Sequence, residues 1–274
     1  DKPLLSRALR GTYPPGSTFK PFMAMAALNT NKRSPSQIIY DGGTFQFGNH
    51  TFRSHGDTGL GPVDMVRSIV KSSNVYYYSL ANELGVDLMH EQLEPFGFGR
   101  KTGIDVDGEV TGLLPSTEWK RRAYKKPEQQ KWYAGETISL GIGQGYNNFT
   151  MLQLALATAV IANDGVKMKP HLVREVVDVV TRASRETLKE IKAESIARPE
   201  NIAVIKRALV GVNTEGTGAT AFRGAPYVAA GKTGTAQVVT IKQNEKYNAA
   251  RMAERLRDHA LYMAFAPADN PKIA

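Results

Sequence analysis

The 274-residue sequence contains no cysteine, which excludes disulfides and thiolate chemistry. It also lacks any apolar run long enough to span a bilayer, and Asp1-Lys2-Pro3 does not have the form of a secretory leader. Acidic residues are in deficit, with 26 Asp and Glu against 35 Lys and Arg, for a formal charge of +9. That excess suits an anionic membrane face, an acidic polymer or nucleic acid, beside the plainer reading of a solvated basic surface. No nucleic-acid-binding signature accompanies it, so nucleic acid is not an expected partner. At 42% hydrophobic residues, the chain can bury a sizeable core as one large domain or two lobes.

What is present is organised around Tyr13-Pro14-Pro15-Gly16-Ser17-Thr18-Phe19-Lys20. The prolines and glycine end the preceding segment in a tight approach. Phe22 to Leu28 then reads as a helix stopping at Asn29-Thr30-Asn31. Pro21 is tolerable only in a first helical turn, which places Ser17 at or beside a helix N-terminus. Unpaired N–H groups and the positive dipole end there suit a developing oxyanion, and Lys20 follows one turn later. Ser17 is thus a candidate nucleophile with Lys20 as its base. The spacing alone is weak, because Ser68-Ile69-Val70-Lys71 repeats it, and a capping serine before a solvated lysine is the plain alternative for either copy.

Residues 32–62 are rich in turns around short segments such as Thr44-Phe45-Gln46-Phe47. His50, His55, Asp41 and Asp57 fall there; their spacing fits no standard metal-ligand pattern, so they read as solvated loop residues. Residues 63–84 read as helical material, Val86 to Phe96 as another short helix, and Ser116-Thr117-Glu118 as a helix start. Lys120 to Lys126 is the densest basic run and is expected to be a solvated face, with lipid head groups or an acidic glycan as the weaker alternative. Ser139-Leu140-Gly141-Ile142-Gly143-Gln144-Gly145 has a glycine spacing that resembles a nucleotide loop but lacks the rest of that unit; close backbone approach explains it better. Met151 to Ala162 reads as a buried core helix with Gln153 as its polar exception, and Val173 to Val180 as a strand. The charged stretch 181–198 reads as an insertion, and Glu200 to Gly211 as an amphipathic helix with a glycine-rich exit. A strand over 227–240, interrupted at Gly231 and Gly234, and another over 261–265 complete the chain before a turn at Ala268-Asp269-Asn270-Pro271.

Two further constellations give Ser17 its company. Lys232-Thr233-Gly234-Thr235 combines a cation, two hydroxyls able to bind a carboxylate and a glycine that leaves room for a ligand along the strand. The Thr235 N–H can serve as a second oxyanion donor beside that of Ser17. Ser72-Ser73-Asn74 supplies a hydroxyl for proton relay at Ser72 and, at Asn74, an amide able to hold a lysine and a substrate carbonyl. Ser-x-x-Lys, Ser-x-Asn and Lys-Thr-Gly in this order form the set found in penicillin-binding proteins and class A β-lactamases. Ser68 lies too close to Ser72 for an intervening helix, so Ser17 is the nucleophile of the set.

On these motifs the sequence resembles the transpeptidase domain of class B penicillin-binding proteins over nearly its whole length. Gly11 to Ser17, Gly141 to Tyr146, Lys232 to Gln237 and Ala253 to His259 resemble the elongation-specific branch more than the division-specific one. The resemblance implies an α/β (α+β) fold: an antiparallel sheet with helices on both sides, and a mostly helical and loop lobe, about 32–148, that carries the Ser-x-Asn motif. Residues 1–274 would form one transpeptidase domain, with the site in the cleft between sheet and lobe. It also implies a membrane anchor and pedestal domain in a full member, a site on the periplasmic face of the inner membrane, and family strands lying beyond both ends of this sequence. The expectation is therefore an excised piece with an unpaired sheet edge.

The chemistry implied is serine-type D,D-transpeptidation of peptidoglycan stem peptides ending in D-Ala-D-Ala, without metal or cofactor. Ser17, Lys20, Ser72, Asn74 and Lys232 would be catalytic, the Ser17 and Thr235 amides the oxyanion hole, and Thr233, Gly234 and Thr235 the peptide-binding strand. β-Lactam antibiotics would acylate Ser17, and a membrane-embedded glycosyltransferase of the elongation machinery would be a partner. A serine β-lactamase is the nearest alternative, yet no class A glutamate loop is evident. Tyr146-Asn147-Asn148 only approximates the Tyr-Gly-Asn of class D, whose second motif lacks the asparagine seen at Asn74. A penicillin-sensor domain that acylates without turnover is the alternative outside enzymology.

Overall fold

The computed structural model describes residues 4–54, 58–186, 193–237, 250 and 252–274. Its centre is the helix that follows Ser17. This helix, α1 (Lys20–Asn29), is buried at every position from Lys20 to Leu28. Its apolar residues, small alanines among them, run all round, as a helix enclosed by other elements requires. Aromatic rings fix its N-terminal end: Phe19 lies 5.4 Å from Phe98 and 5.7 Å from Phe149, and Phe22 lies 5.0 Å from Phe98. The Ser17 turn therefore hangs from an aromatic cluster in the core.

The loop-rich stretch folds into two small antiparallel pairs. β1 (Ile39–Asp41) pairs with β4 (Gly61–Val63), and β2 (Thr44–Phe47) pairs with β3 (His50–Arg53). Asp41, expected as a solvated loop residue, is instead buried, with its carboxylate taking up Gly43 N and Ser73 Oγ. His50 is exposed, with its ring 4.5 Å from Phe52. His55 and Asp57 lie outside the described residues.

The expected helical run over 63–84 is broken in two. α2 (Met65–Val70) is capped by Asp64 and α3 (Asn74–Leu84) by Ser73, while Ser72 between them takes a left-handed φ of 57°. Two capping side chains within ten residues compete with a continuous helix and win. α4 (Val86–Leu93) continues into a 3-10 turn at Glu94–Phe96.

α5 (Thr117–Ala123) contains the start of the basic run. Arg121, Arg122, Lys125 and Lys126 are exposed as expected, but Lys120 is buried. Its Nζ meets both oxygens of Glu136 at 2.6 Å and lies 5.4 Å from the Trp132 ring centroid. The ion pair and the ring faces replace the water that a lysine otherwise needs. Glu136 belongs to α6 (Ala134–Leu140).

α7 (Met151–Ala162) has the expected span and a buried Gln153. That glutamine closes a capping box with Thr150 and donates to the carbonyls of Arg100 and Thr111, so none of its polarity is wasted. Of the strand expected over 173–180 only β5 (Glu175–Val177) forms, pairing with β6 (Ser184–Glu186) in an exposed hairpin. Residues 187–192 of the expected insertion lie outside the described residues. α8 (Pro199–Thr214) is longer than expected and packs on α1, α2 and β7.

β7 (Ala230–Ala236) pairs antiparallel with β8 (His259–Phe265), with Lys232 opposite Met263 and Thr235 opposite Ala260. Tyr227 and Val228 are exposed and precede the strand, and residues 238–240 lie outside the described residues. An isolated bridge joins Ala266 to Ile273 after the expected turn. α8 covers β7 and α7 covers β8, which gives the helix-and-antiparallel-sheet layering anticipated from the motifs. Among the described residues each sheet has two strands, β7 pairing with β8 alone. No described helix is long and apolar enough to cross a membrane.

Candidate active site

Gly16 has φ of 53°, and a Cβ there would lie 2.3 Å from the carbonyl oxygen of Thr235. Only glycine satisfies both conditions, and the result is that the Ser17 turn abuts the Lys232–Thr235 strand. From the other side, a Cβ on Gly234 would lie 2.8 Å from the Thr18 methyl. Ser17 sits in a 3-10 turn, Gly16–Phe19, that feeds directly into α1, with Pro21 in the first helical turn. The N-terminal placement expected from Pro21 is thus present, with a tighter first turn.

Lys20 is fully buried. Its Nζ donates to Ser72 O at 2.8 Å, Ser72 Oγ at 3.2 Å and Asn74 Oδ1 at 2.7 Å. Lys232, also fully buried, donates to the same Ser72 Oγ at 3.0 Å and to Thr233 O at 3.0 Å. One serine hydroxyl therefore joins two lysines from opposite sides of the cleft. Accepting two donors occupies both lone pairs of Ser72 Oγ and leaves its proton free to point elsewhere. The left-handed φ of Ser72 presents carbonyl and hydroxyl to Lys20 together. Three acceptors saturate the Lys20 ammonium, and among the described residues Ser17 Oγ makes no hydrogen bond with it.

Both lysines release protons more readily than usual. Burial lowers Lys20 well below the ordinary lysine range, the charge of Lys232 lowers it further, and Asp41 opposes both. Burial alone brings Lys232 down to about 7. Neutral amines are thus accessible near neutrality, which a general base requires.

Thr233 and Gly234 are half-buried and Thr235 is exposed, so this end of β7 lines an open edge. Thr217 Oγ1 lies 2.6 Å from Thr233 Oγ1, a neighbour that the sequence flagged only as part of a glycine-rich exit. Asp41, beneath Ser73, was equally hidden, because nothing local links residue 41 to residue 73. The competing pair separates cleanly: Ser68 is buried and its hydroxyl donates to Met65 O, while Lys71 reaches Glu215 O. The glycine run before Tyr146 is a close approach, as expected. A Cβ on Gly141 would lie 2.3 Å from Tyr77 O and one on Gly143 2.2 Å from Gly16 O.

Among curated relatives, the chain is 42% identical over 278 residues to the peptidoglycan D,D-transpeptidase MrdA of Haemophilus influenzae, covering 99% of this chain and 42% of that protein. It is 43% identical over 276 residues to MrdA of Acinetobacter baumannii, covering 100% of this chain and 40% of that protein. The chain thus spans about 40% of the length of these relatives. Among solved structures, Pseudomonas aeruginosa PBP2 in complex with WCK 5153 superposes with a TM-score of 0.84 at 38% identity, covering 100% of this chain and 55% of that one. The complex between PBP2 and MreC from Helicobacter pylori gives 0.82 at 28% identity, covering 98% of this chain and 46% of that one. The family described as penicillin binding protein transpeptidase domain matches residues 1–274, and the chain belongs to that family.

Proposed function

We propose that the protein carrying this chain is a peptidoglycan D,D-transpeptidase of the elongation machinery, working through an acyl-enzyme on Ser17. The observation that carries this reading is the Lys20–Ser72–Lys232 junction beside the Ser17 turn. Ser17 Oγ bonds to the penultimate D-Ala carbonyl carbon, the π pair moves onto oxygen, and the serine proton passes to neutral Lys20. The Ser17 and Thr235 N–H groups stabilise the oxyanion. Collapse breaks the bond to the terminal D-Ala, whose amine takes a proton relayed by Ser72 and Lys232. Asn74 aligns the peptide, while Lys232 and the Thr233 and Thr235 hydroxyls receive its carboxylate along β7 at Gly234. An amine of a neighbouring stem peptide then attacks the ester, forms the cross-link and frees Ser17.

Residues 1–274 act as one transpeptidase unit, with about 32–148 as the lobe that brings Ser72 and Asn74 to the cleft. The site works on the periplasmic face of the inner membrane. β-Lactams acylate Ser17, and a membrane-embedded glycosyltransferase is the partner. The names of the relatives support elongation, and the likeness to a solved peptidoglycan synthase complex that coordinates polymerization and crosslinking supports the partner. Intact-protein mass spectrometry of the full-length protein after penicillin treatment tests the reading. One adduct on Ser17 is expected; Ser17→Ala abolishes it and Ser68→Ala leaves it intact. An adduct that survives Ser17→Ala overturns the assignment.

A further inference from the structure

We propose that Gln144 is a positioning residue for the oxyanion hole, holding the outer edge of β7 through the carbonyl of Thr235 so that the Thr235 N–H stays aimed at the carbonyl that Ser17 attacks. The proposal rests on the reading of Ser17 as the nucleophile.

The glycine run that no nucleotide explains provides the geometry. Gly143 O accepts a hydrogen bond from Gly16 N at 3.0 Å. The next residue, Gln144, donates from Nε2 to Thr235 O at 3.1 Å. One two-residue turn thus grips both pieces that contribute an oxyanion donor: the loop leading to Ser17 and the strand that carries Thr235. Gly143 has φ of 73°, and a Cβ there would lie 2.2 Å from Gly16 O, so this approach admits glycine alone. The turn is itself braced: Gln144 N donates to Ser139 O at 3.1 Å, and Asn147 Nδ2 to Leu140 O at 3.0 Å.

The orientation follows from strand geometry. In an antiparallel strand the N–H and C=O of one residue point to the same edge. A Cβ on Gly16 would lie 2.3 Å from Thr235 O and 3.3 Å from Thr235 N, so both groups face the nucleophile turn. Fixing that carbonyl therefore fixes the direction of that N–H. On this side the end of β7 beyond Gly234 meets the Gly16 turn by close approach, and Gln144 adds a hydrogen bond to its carbonyl. Oxyanion donors act over a narrow range, about 2.7–3.1 Å, and removing one costs about 10²–10³ in turnover. A donor merely allowed to drift is expected to cost about tenfold or more.

The test uses the full-length protein, Gln144→Ala, and Gln144→Glu, which keeps the shape but has no N–H to offer the carbonyl. Each is acylated with an N-acyl-D-alanyl ester and with the same ester bearing sulfur in place of the scissile carbonyl oxygen. Sulfur is larger and a weaker acceptor, so a well-aimed hole favours the oxygen ester. Rates are counted per site labelled by penicillin, so unfolded protein does not contribute. The expected result is a fall of about tenfold or more in the oxygen-to-sulfur rate ratio for both variants, with reversible binding of the ester within about twofold of the parent. A ratio equal to the parent's, whether or not both rates fall, overturns the proposal, as does the failure of both variants to fold. A parent protein that is not acylated at Ser17 removes the nucleophile reading itself, a result distinct from an unchanged ratio.

Discussion

At the scale of single residues, the site is a compromise between two buried cations. Lys20 and Lys232 share the Ser72 hydroxyl, and among the described residues neither has a carboxylate as a hydrogen-bond partner. Each is more easily deprotonated in the folded protein than in the unfolded chain, Lys232 falling from 10.5 to about 7. Between those values the unfolded chain binds more protons, so stability rises with pH across that window. The slope approaches at most about 1.4 kcal/mol per pH unit for each lysine. Denaturant titrations from about pH 7 to 9 should show this rise, and Lys232→Met should flatten it; a pH-independent stability would contradict it. Asp41 gives a second prediction. The charges facing Lys20 are Lys232 and Asp41, with the Tyr77 ring beside it. Asp41 holds the Lys20 proton on, so Asp41→Asn should shift the rise of acylation rate with pH towards lower pH. A shift to higher pH in a stopped-flow acylation profile would show that the carboxylate acts otherwise.

At the scale of elements, the break between α2 and α3 does the most to build the site. Ser73 accepts from Tyr76 N as the cap of α3 and donates to the buried Asp41 carboxylate. Ser73→Ala removes a cap worth about 1 kcal/mol and leaves a buried acceptor short of a partner at about 1–3 kcal/mol. Thermal and denaturant unfolding should therefore show a loss of about 2–4 kcal/mol, with acylation slowed because Ser72 and Asn74 lose their support. A variant as stable as the parent would mean that the turn holds without its cap. The same break marks where the sequence stopped being legible. Lys20, Ser72, Asn74 and Lys232, which hydrogen bonds join beside the Ser17 turn, could be singled out in the sequence because the chemistry ties residue types to short, ordered spacings. α1 and α7 were readable because their apolar character is continuous. Asp41 beneath Ser73, Lys120 on Glu136 and Thr217 against Thr233 were not, since each contact joins distant segments and leaves no local pattern. The run over 63–84 misled because apolar spacing persists through a turn made by capping side chains.

At the scale of the whole molecule, the site sits where the helix-centred core, the Ser72–Asn74 turn and the β7 edge meet, and the consequence concerns the life of the acyl-enzyme. Hydrolysis needs a water held at the ester carbon and a group to take its proton. General-base help of that kind is worth about 10²–10⁴-fold in rate. The groups joined at the junction are Lys20, Ser72, Asn74 and Lys232, all amines, hydroxyls or amides. The buried carboxylate of Asp41 is committed to Gly43 and Ser73. Among the described residues, none of the hydrogen bonds to these site groups comes from a carboxylate. After acylation by a β-lactam, the opened ring also occupies the side from which an acceptor amine approaches, so neither water nor amine reaches the ester efficiently. The ester on Ser17 of the full-length protein should therefore persist for many minutes, read as the decay of the penicillin adduct mass after excess drug is removed. Steady turnover of penicillin at several per second would mean that a water is held at the ester carbon within reach of a neutral lysine of the junction, and would move the protein's chemistry to that of a β-lactamase.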